Sequence, residues 1–237
     1  MKLNTRMVGA ASAMVLAGGL GFVSLPNAEA AAPPKVDVSN HTVTCDTFYG
    51  SIKSVPALTL AGSGPGTITV KGVLDGCHDD TVGDYDATSN PGGVSLAPAK
   101  VKGTLNVTST SCTALAGLSA GTSGSLTTTW KTVAGTPKLL ANSTTLNVNQ
   151  TNGAFSTVQT ASNNFSASYG EFQIGTPASY GGTLAPSATG NFAGTDGGAS
   201  STVDVVTSQS VGALLAACST PAGLKAINLG LGIVHIG

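Results

Sequence analysis

The sequence predicts an all-β domain: a disulfide-stapled antiparallel β-sandwich, or a barrel-like variant of it, with one short helix near the C-terminus. Three observations predict it. Thr, Ser, Gly, Ala and Val dominate the chain, and the branched Thr and Val side chains pack well on a pleated surface. About nine short segments alternate apolar and polar residues with period two, separated by Gly, Pro and Asn clusters. Four cysteines, Cys45, Cys77, Cys112 and Cys218, form an even set suited to two disulfides in an exported chain.

Taken in order, the N-terminus has the layout of a secretory leader. Lys2 and Arg6 form a short positive region, Met7 to Leu25 is rich in Ala, Gly, Val and Leu, and Ala28-Glu29-Ala30 is a small-residue cleavage triplet. We therefore expect residues 1–30 to be a signal peptide removed after Ala30. An uncleaved anchor is the alternative, disfavoured by the Gly and Ala content and the processing signal. The first cysteine is Cys45, so no lipid anchor is expected at the cleavage site. Residues 31–40, opening Ala31-Ala32-Pro33-Pro34, read as a stalk, and 41–237 as a single β-rich domain.

Loss of Lys2, Arg6 and Glu29 leaves eight lysines, ten acids and no arginine. Arginine is the usual bidentate ligand for phosphate and carboxylate, and nucleic-acid binding needs a dense positive footprint. A nucleic-acid partner is therefore not expected. An envelope component or self-association remains open as partner, and the ligand is unspecified.

The strand segments follow: HTVTCDTFYG, GTITVKGVLDG, AKVKGTLNVTS, SGSLTTTWKTV, STTLNVNQ, GAFSTVQT, SATGNFAG, STVDVVT and KAINLGLGIVHI. In the fourth, Leu126, Thr128 and Trp130 share one face, and Thr127, Thr129 and Lys131 take the other. In the last, Ile227, Leu229, Leu231 and Ile233 alternate with Asn228, Gly230 and Gly232. Between the final two strands, Ser208 to Cys218 offers a serine cap and good helix formers, stopped by Thr220-Pro221. The four cysteines allow three connectivities; sequential pairing, Cys45–Cys77 with Cys112–Cys218, is preferred without being fixed.

The motifs T-V-K-G-x-L-x-G-C (Thr69–Cys77), F-A-G-T-D-G-G-A-S-S (Phe192–Ser201) and A-L-L-A-A-C (Ala213–Cys218), with the leader and the strand carrying Trp130, resemble a group of small secreted β-rich proteins of actinobacteria. The resemblance spans nearly the whole chain after the leader. It implies export, and it brings no catalytic residues to carry over.

Candidate chemistry is sparse. Gly117-Leu118-Ser119-Ala120-Gly121 matches a nucleophile elbow, with Asp204 and His235 following in hydrolase order, but the strand–turn–helix context of that motif is missing. Gly194-Thr195-Asp196-Gly197-Gly198 has Asp where a serine-protease-like segment needs its nucleophile, and reads as a Gly-rich turn with an Asx-type bond. His41, His78 and His235 are scattered. The stretch Cys77-His78-Asp79-Asp80-Thr81-Val82-Gly83-Asp84-Tyr85-Asp86 concentrates charge in a chain that otherwise has little. Asp79, Asp80, Asp84 and Asp86 are its candidate ligands for Ca²⁺, a hard cation that takes six to eight oxygens, with Asn90 and backbone carbonyls contributing. The EF-hand pattern is absent. A carboxylate pair for glycoside hydrolysis would need a sugar cleft lined with aromatics, and the chain has one Trp. A solvated hairpin loop is the plain alternative, and no cofactor other than Ca²⁺ is implied. These observations lead to a secreted or cell-envelope, non-enzymatic protein with a structural, adhesive or binding role. An oligomeric pore-forming or outer-envelope channel is the alternative, and a secreted hydrolase stands third.

Overall fold

The alternating segments build long strands. The computed structural model describes residues 34–112, 121–150, 177–183, 187–198 and 201–237, and these belong to one unit, Pro33–Gly237. Strands β2 (Val43–Leu58) and β3 (Gly66–Asp79) form a hairpin, followed by β4 (Leu96–Val107), β5 (Thr122–Thr132) and β7 (Ser143–Gln150). Each of these runs antiparallel to the one before. Strand β9 (Ser187–Gly190) adds to β7 at one edge. On the other side β11 (Leu224–Ile236) pairs with β2, β10 (Thr202–Ser210) pairs with β11, and β8 (Pro177–Thr183) ends the sheet. The order β8-β10-β11-β2-β3-β4-β5-β7-β9 is one nine-stranded sheet. Among the described residues no ladder joins β8 to β9, so the sheet is not closed.

It curls instead. Val203 and Val205 from one wing share a single buried cluster with Leu126, Trp130, Leu146 and Val148 from the other. Two halves of one sheet thus face each other across a common core, as in a sandwich. Leu126, Thr128 and Trp130 are all buried on the inner face, as their spacing predicted. The Trp130 indole N–H donates to Thr144 Oγ1 at 2.7 Å, and the Thr144 hydroxyl donates onward to the Asn191 carbonyl. The Phe192 ring meets Trp130 edge-on at 5.0 Å. Both aromatic rings are buried, and full burial of such a side chain stabilises by about 1.5–3 kcal/mol.

The N-terminal segment corrects an expectation. Strand β1 (Lys35–Val36) pairs in parallel with β6 (Lys138–Leu139), and Val38 is fully buried. Phe192 and Ala193 donate their N–H groups to the carbonyls of Val38 and Ser39. Residues 34–40 are therefore part of the domain rather than a stalk. Val36 and Val38 alternate with polar neighbours, and that apolar pair packs over one end of the core.

The helix α1 (Val211–Cys218) is capped by Ser210, whose hydroxyl accepts the Ala213 N–H. The expected segment opens at Ser208, but Ser208 to Ser210 still belong to β10, so Ser210 is the cap and the helix starts at Val211. Cys112–Cys218 fixes the end of α1 over a second, smaller cluster of Leu58, Leu214 and Leu224. Cys45–Cys77 joins residues directly opposite each other on β2 and β3. The sequential connectivity is thus the observed one and no cysteine is free; such bonds persist in oxidising environments. No helix among the described residues is long and apolar enough to cross a membrane. The expected strand GAFSTVQT, 153–160, lies outside the described residues.

Candidate functional site

The acidic loop begins where β3 ends, immediately after the Cys45–Cys77 staple. In a strand successive side chains point to opposite faces, so Asp79 and Asp80 part at once. Asp79 turns inward and its side chain is fully buried. Its Oδ1 accepts the N–H groups of Thr81 at 2.9 Å and Val82 at 3.1 Å, which bends the chain into an Asx turn. Its Oδ2 lies 2.7 Å from His41 Nδ1. One carboxylate therefore pins both the loop and the segment that leads into β2.

Asp80 turns outward. Thr44 donates its hydroxyl to Asp80 Oδ2 at 2.7 Å, and His235 Nδ1 lies 3.1 Å from the same hydroxyl and 3.4 Å from the carboxylate. The arrangement contains Thr, His and Asp, yet it is not a nucleophile relay. In such a relay the hydroxyl and the carboxylate use opposite ring nitrogens of the histidine; here both face Nδ1. His78 bridges two further acids, with Nδ1 3.1 Å from Asp84 Oδ2 and Nε2 3.7 Å from Asp46 Oδ2. All three histidines, scattered in sequence, thus meet aspartates at one end of the curled sheet.

The rest of the loop closes on itself. Asp86 Oδ1 accepts the Thr88 and Ser89 N–H groups, and these bonds, that from Ser89 foremost, hold its carboxyl below the ordinary carboxylate range. Asp86 and Asn90 exchange backbone hydrogen bonds. The Asn90 amide donates to the carbonyls of Val82 at 2.6 Å and Asp84 at 2.9 Å.

This geometry bears directly on the Ca²⁺ expectation. Asp79, Asp80, Asp84 and Asp86 each have a different set of local partners and do not converge. Asn90 offers donors where a cation would need oxygens, and it occupies two of the available carbonyls. Among the described residues no group of three or more His, Cys, Asp or Glu side chains is placed to hold a metal ion. The four carboxylates are close in sequence, and each is engaged with different partners.

The hydrolase-like motifs fare as follows. Ser119 lies outside the described residues; Gly121, the last of its motif, accepts the Thr108 N–H at its carbonyl and donates its own N–H to the Thr108 hydroxyl, and His235 faces Asp80. In the Gly-rich segment, Asp196 Oδ1 accepts the Gly198 N–H at 2.9 Å, the Asx-type turn that the sequence suggested. Sequence reading missed His41 and His235 as partners of the loop. The only available signal was the apolar–polar alternation of the first and last strands, which places Thr44 and His235 side by side once β2 and β11 pair.

Comparison with protein-family models, with curated proteins and with solved structures gives no match to this chain.

Proposed function

We propose that this chain is exported, loses residues 1–30, and serves in the cell envelope or outside the cell as a non-enzymatic protein with a structural or binding role, like the secreted β-rich proteins it resembles. One observation carries the reading: the few side chains with catalytic or metal-binding chemistry at the histidine–aspartate end are engaged in holding strand ends and a loop together. His41 and Asp79 brace one another, Thr44 links Asp80 and His235, and His78 sits between Asp46 and Asp84. The Thr44 hydroxyl donates to Asp80, and hydroxyl and carboxylate both face His235 Nδ1 rather than opposite ring nitrogens, which is not the geometry of a nucleophile relay.

The orientation of the faces supports the same reading over a channel. Trp130, Phe192, Leu126 and Leu146 fill the interior, while Thr127, Thr129, Thr145 and the strand lysines face outward. A membrane barrel has an apolar exterior band and a polar lumen, the reverse pattern.

Fractionation of the native host tests the proposal. The expected result is a chain in the envelope or medium whose first residue is Ala31. Recovery of a full-length chain beginning at Met1 in the cytosol overturns it.

A further inference from the structure

The outer face of the central strands carries five of the lysines, and they form a line. Lys53 on β2 lies opposite Thr69 of β3. One pleat further along β3, Lys71 lies directly opposite Lys102 of β4. Lys100 follows on β4 opposite Val73, and Lys131 on β5 lies opposite Ala97. All five are exposed. With strands about 4.8 Å apart and a rise of about 3.4 Å per residue, the line crosses four strands diagonally over about 25 Å.

This arrangement is costly in isolation. Like charges directly opposite on neighbouring strands destabilise a sheet, and Lys71 and Lys102 form such a pair. No ion pair between a lysine and a carboxylate occurs among the described residues; the ion pairs there are all histidine–aspartate. The acid nearest the line by register is Asp75, beyond Val73, and its Oδ1 accepts the Gly76 N–H. Between the lysines the surface is hydroxylated: Thr69, Lys71, Lys102, Thr104, Ser125 and Thr127 border a shallow groove of about 400 Å³. Tyr49, half exposed, lies beside Val73 in the same row as Lys100.

From these features we infer that the outer face of β2–β5 binds a linear acidic polysaccharide, with Lys53, Lys71, Lys102, Lys100 and Lys131 facing successive carboxylates. The inference deepens the binding role proposed above and rests on that reading for the partner's location. A straight line of separated charges fits an extended polyanion better than a compact anion. The hydroxyl floor matches sugar hydroxyls, and the exposed Tyr49 ring offers an apolar face for a sugar ring. A duplex presents a phosphate about every 1.7 Å and is met by a denser footprint, normally rich in arginine.

The test is binding of polygalacturonate to the purified, disulfide-bonded protein, with neutral dextran and duplex DNA as comparators. The expected result is binding to polygalacturonate alone, weakened as NaCl rises from about 50 to about 200 mM. Lys71→Gln with Lys102→Gln weakens binding by about 10- to 30-fold, while Lys35→Gln with Lys138→Gln, on the separate β1–β6 pair, leaves it unchanged. Without ligand, the Lys71/Lys102 variant melts about 1–3 °C higher, because the opposed charges are gone. Absence of binding, equal binding to dextran, tighter binding to DNA, equal loss in both variants, or a lowered melting temperature overturns the inference. Failure here with a chain found processed outside the cell refutes the polysaccharide and leaves export standing; tight binding by a chain retained in the cytosol does the opposite.

Discussion

Asp79 concentrates more structural work than any other acid of the loop. Its buried carboxylate takes two backbone N–H groups and the His41 ring, so removing it strands three groups at once. Asp79→Ala is expected to cost about 2–4 kcal/mol, the scale for leaving buried partners of a charged acceptor unsatisfied. Asp79→Asn keeps one oxygen for the Thr81 and Val82 N–H groups and loses less. Urea denaturation of the two variants checks the order; an alanine variant as stable as the parent refutes the bracing role. The same residue shows what sequence reading misses at this scale. The charge density of the loop was legible, as was a turn after Cys77. That Asp79 and Asp80 diverge was not, because the point at which β3 ends and alternation gives way to a turn depends on the β2 pairing. A count of carboxylates in a line overstates their convergence whenever a strand end falls among them.

At the scale of elements, the informative feature is a line across β11, β2 and β3 where the inward face changes parity. On β2 the buried residues step from Cys45 to Phe48, and on β3 from Leu74 to Cys77, with a register that runs straight through. On β11 Leu229 is buried, but so are Val234 and Ile236, while Ile233 is 55 % exposed. The period-two alternation that begins with Ile227 and Leu229 on the inner face therefore does not carry Ile233 inward. Gly76, at φ 60°, sits on this line and supplies a backbone conformation that other residues rarely adopt. Beside it, the Phe48 ring lies over Gly72. A Cβ at Gly72 would come within 2.5 Å of that ring and 2.6 Å of the Tyr49 carbonyl oxygen. Gly72→Ala is expected to destabilise by about 1–3 kcal/mol through overpacking. Trimming the ring in Phe48→Ala/Gly72→Ala leaves the carbonyl clash, so the double variant stays below Phe48→Ala alone; parity between them in thermal melts refutes this packing. Strand existence was readable from period two for β2 through β5, β7 and β11. The parity change was not, because it is cooperative among three strands that are far apart in sequence.

For the whole molecule, the two disulfides divide the labour unequally. Cys45–Cys77 spans 32 residues and links positions that the β2–β3 ladder already holds opposite each other. Cys112–Cys218 spans 106 residues and ties the β4–β5 connection to α1, with the smaller cluster of Leu58, Leu214 and Leu224 packed beside it. That four cysteines would pair was legible from their number; which pairs form depends on long-range topology that composition does not carry. On the chain-entropy account, the stabilisation grows with the logarithm of loop length, giving the longer loop about 1 kcal/mol more than the shorter. Cys112→Ser/Cys218→Ser is therefore expected to lower stability more than Cys45→Ser/Cys77→Ser, and to loosen α1 while the main core persists. Trp130, the single tryptophan, buried between Phe192 and Thr144, reports on that main core alone. In the Cys112/Cys218 variant, helical circular dichroism should fall at lower urea than Trp130 fluorescence changes. In the Cys45/Cys77 variant the two signals should move together, because that bond lies within the core cluster itself. Coincident transitions in both variants would mean that the smaller cluster and the curled sheet unfold as one unit, and that the longer bond does not set the stability of α1 separately.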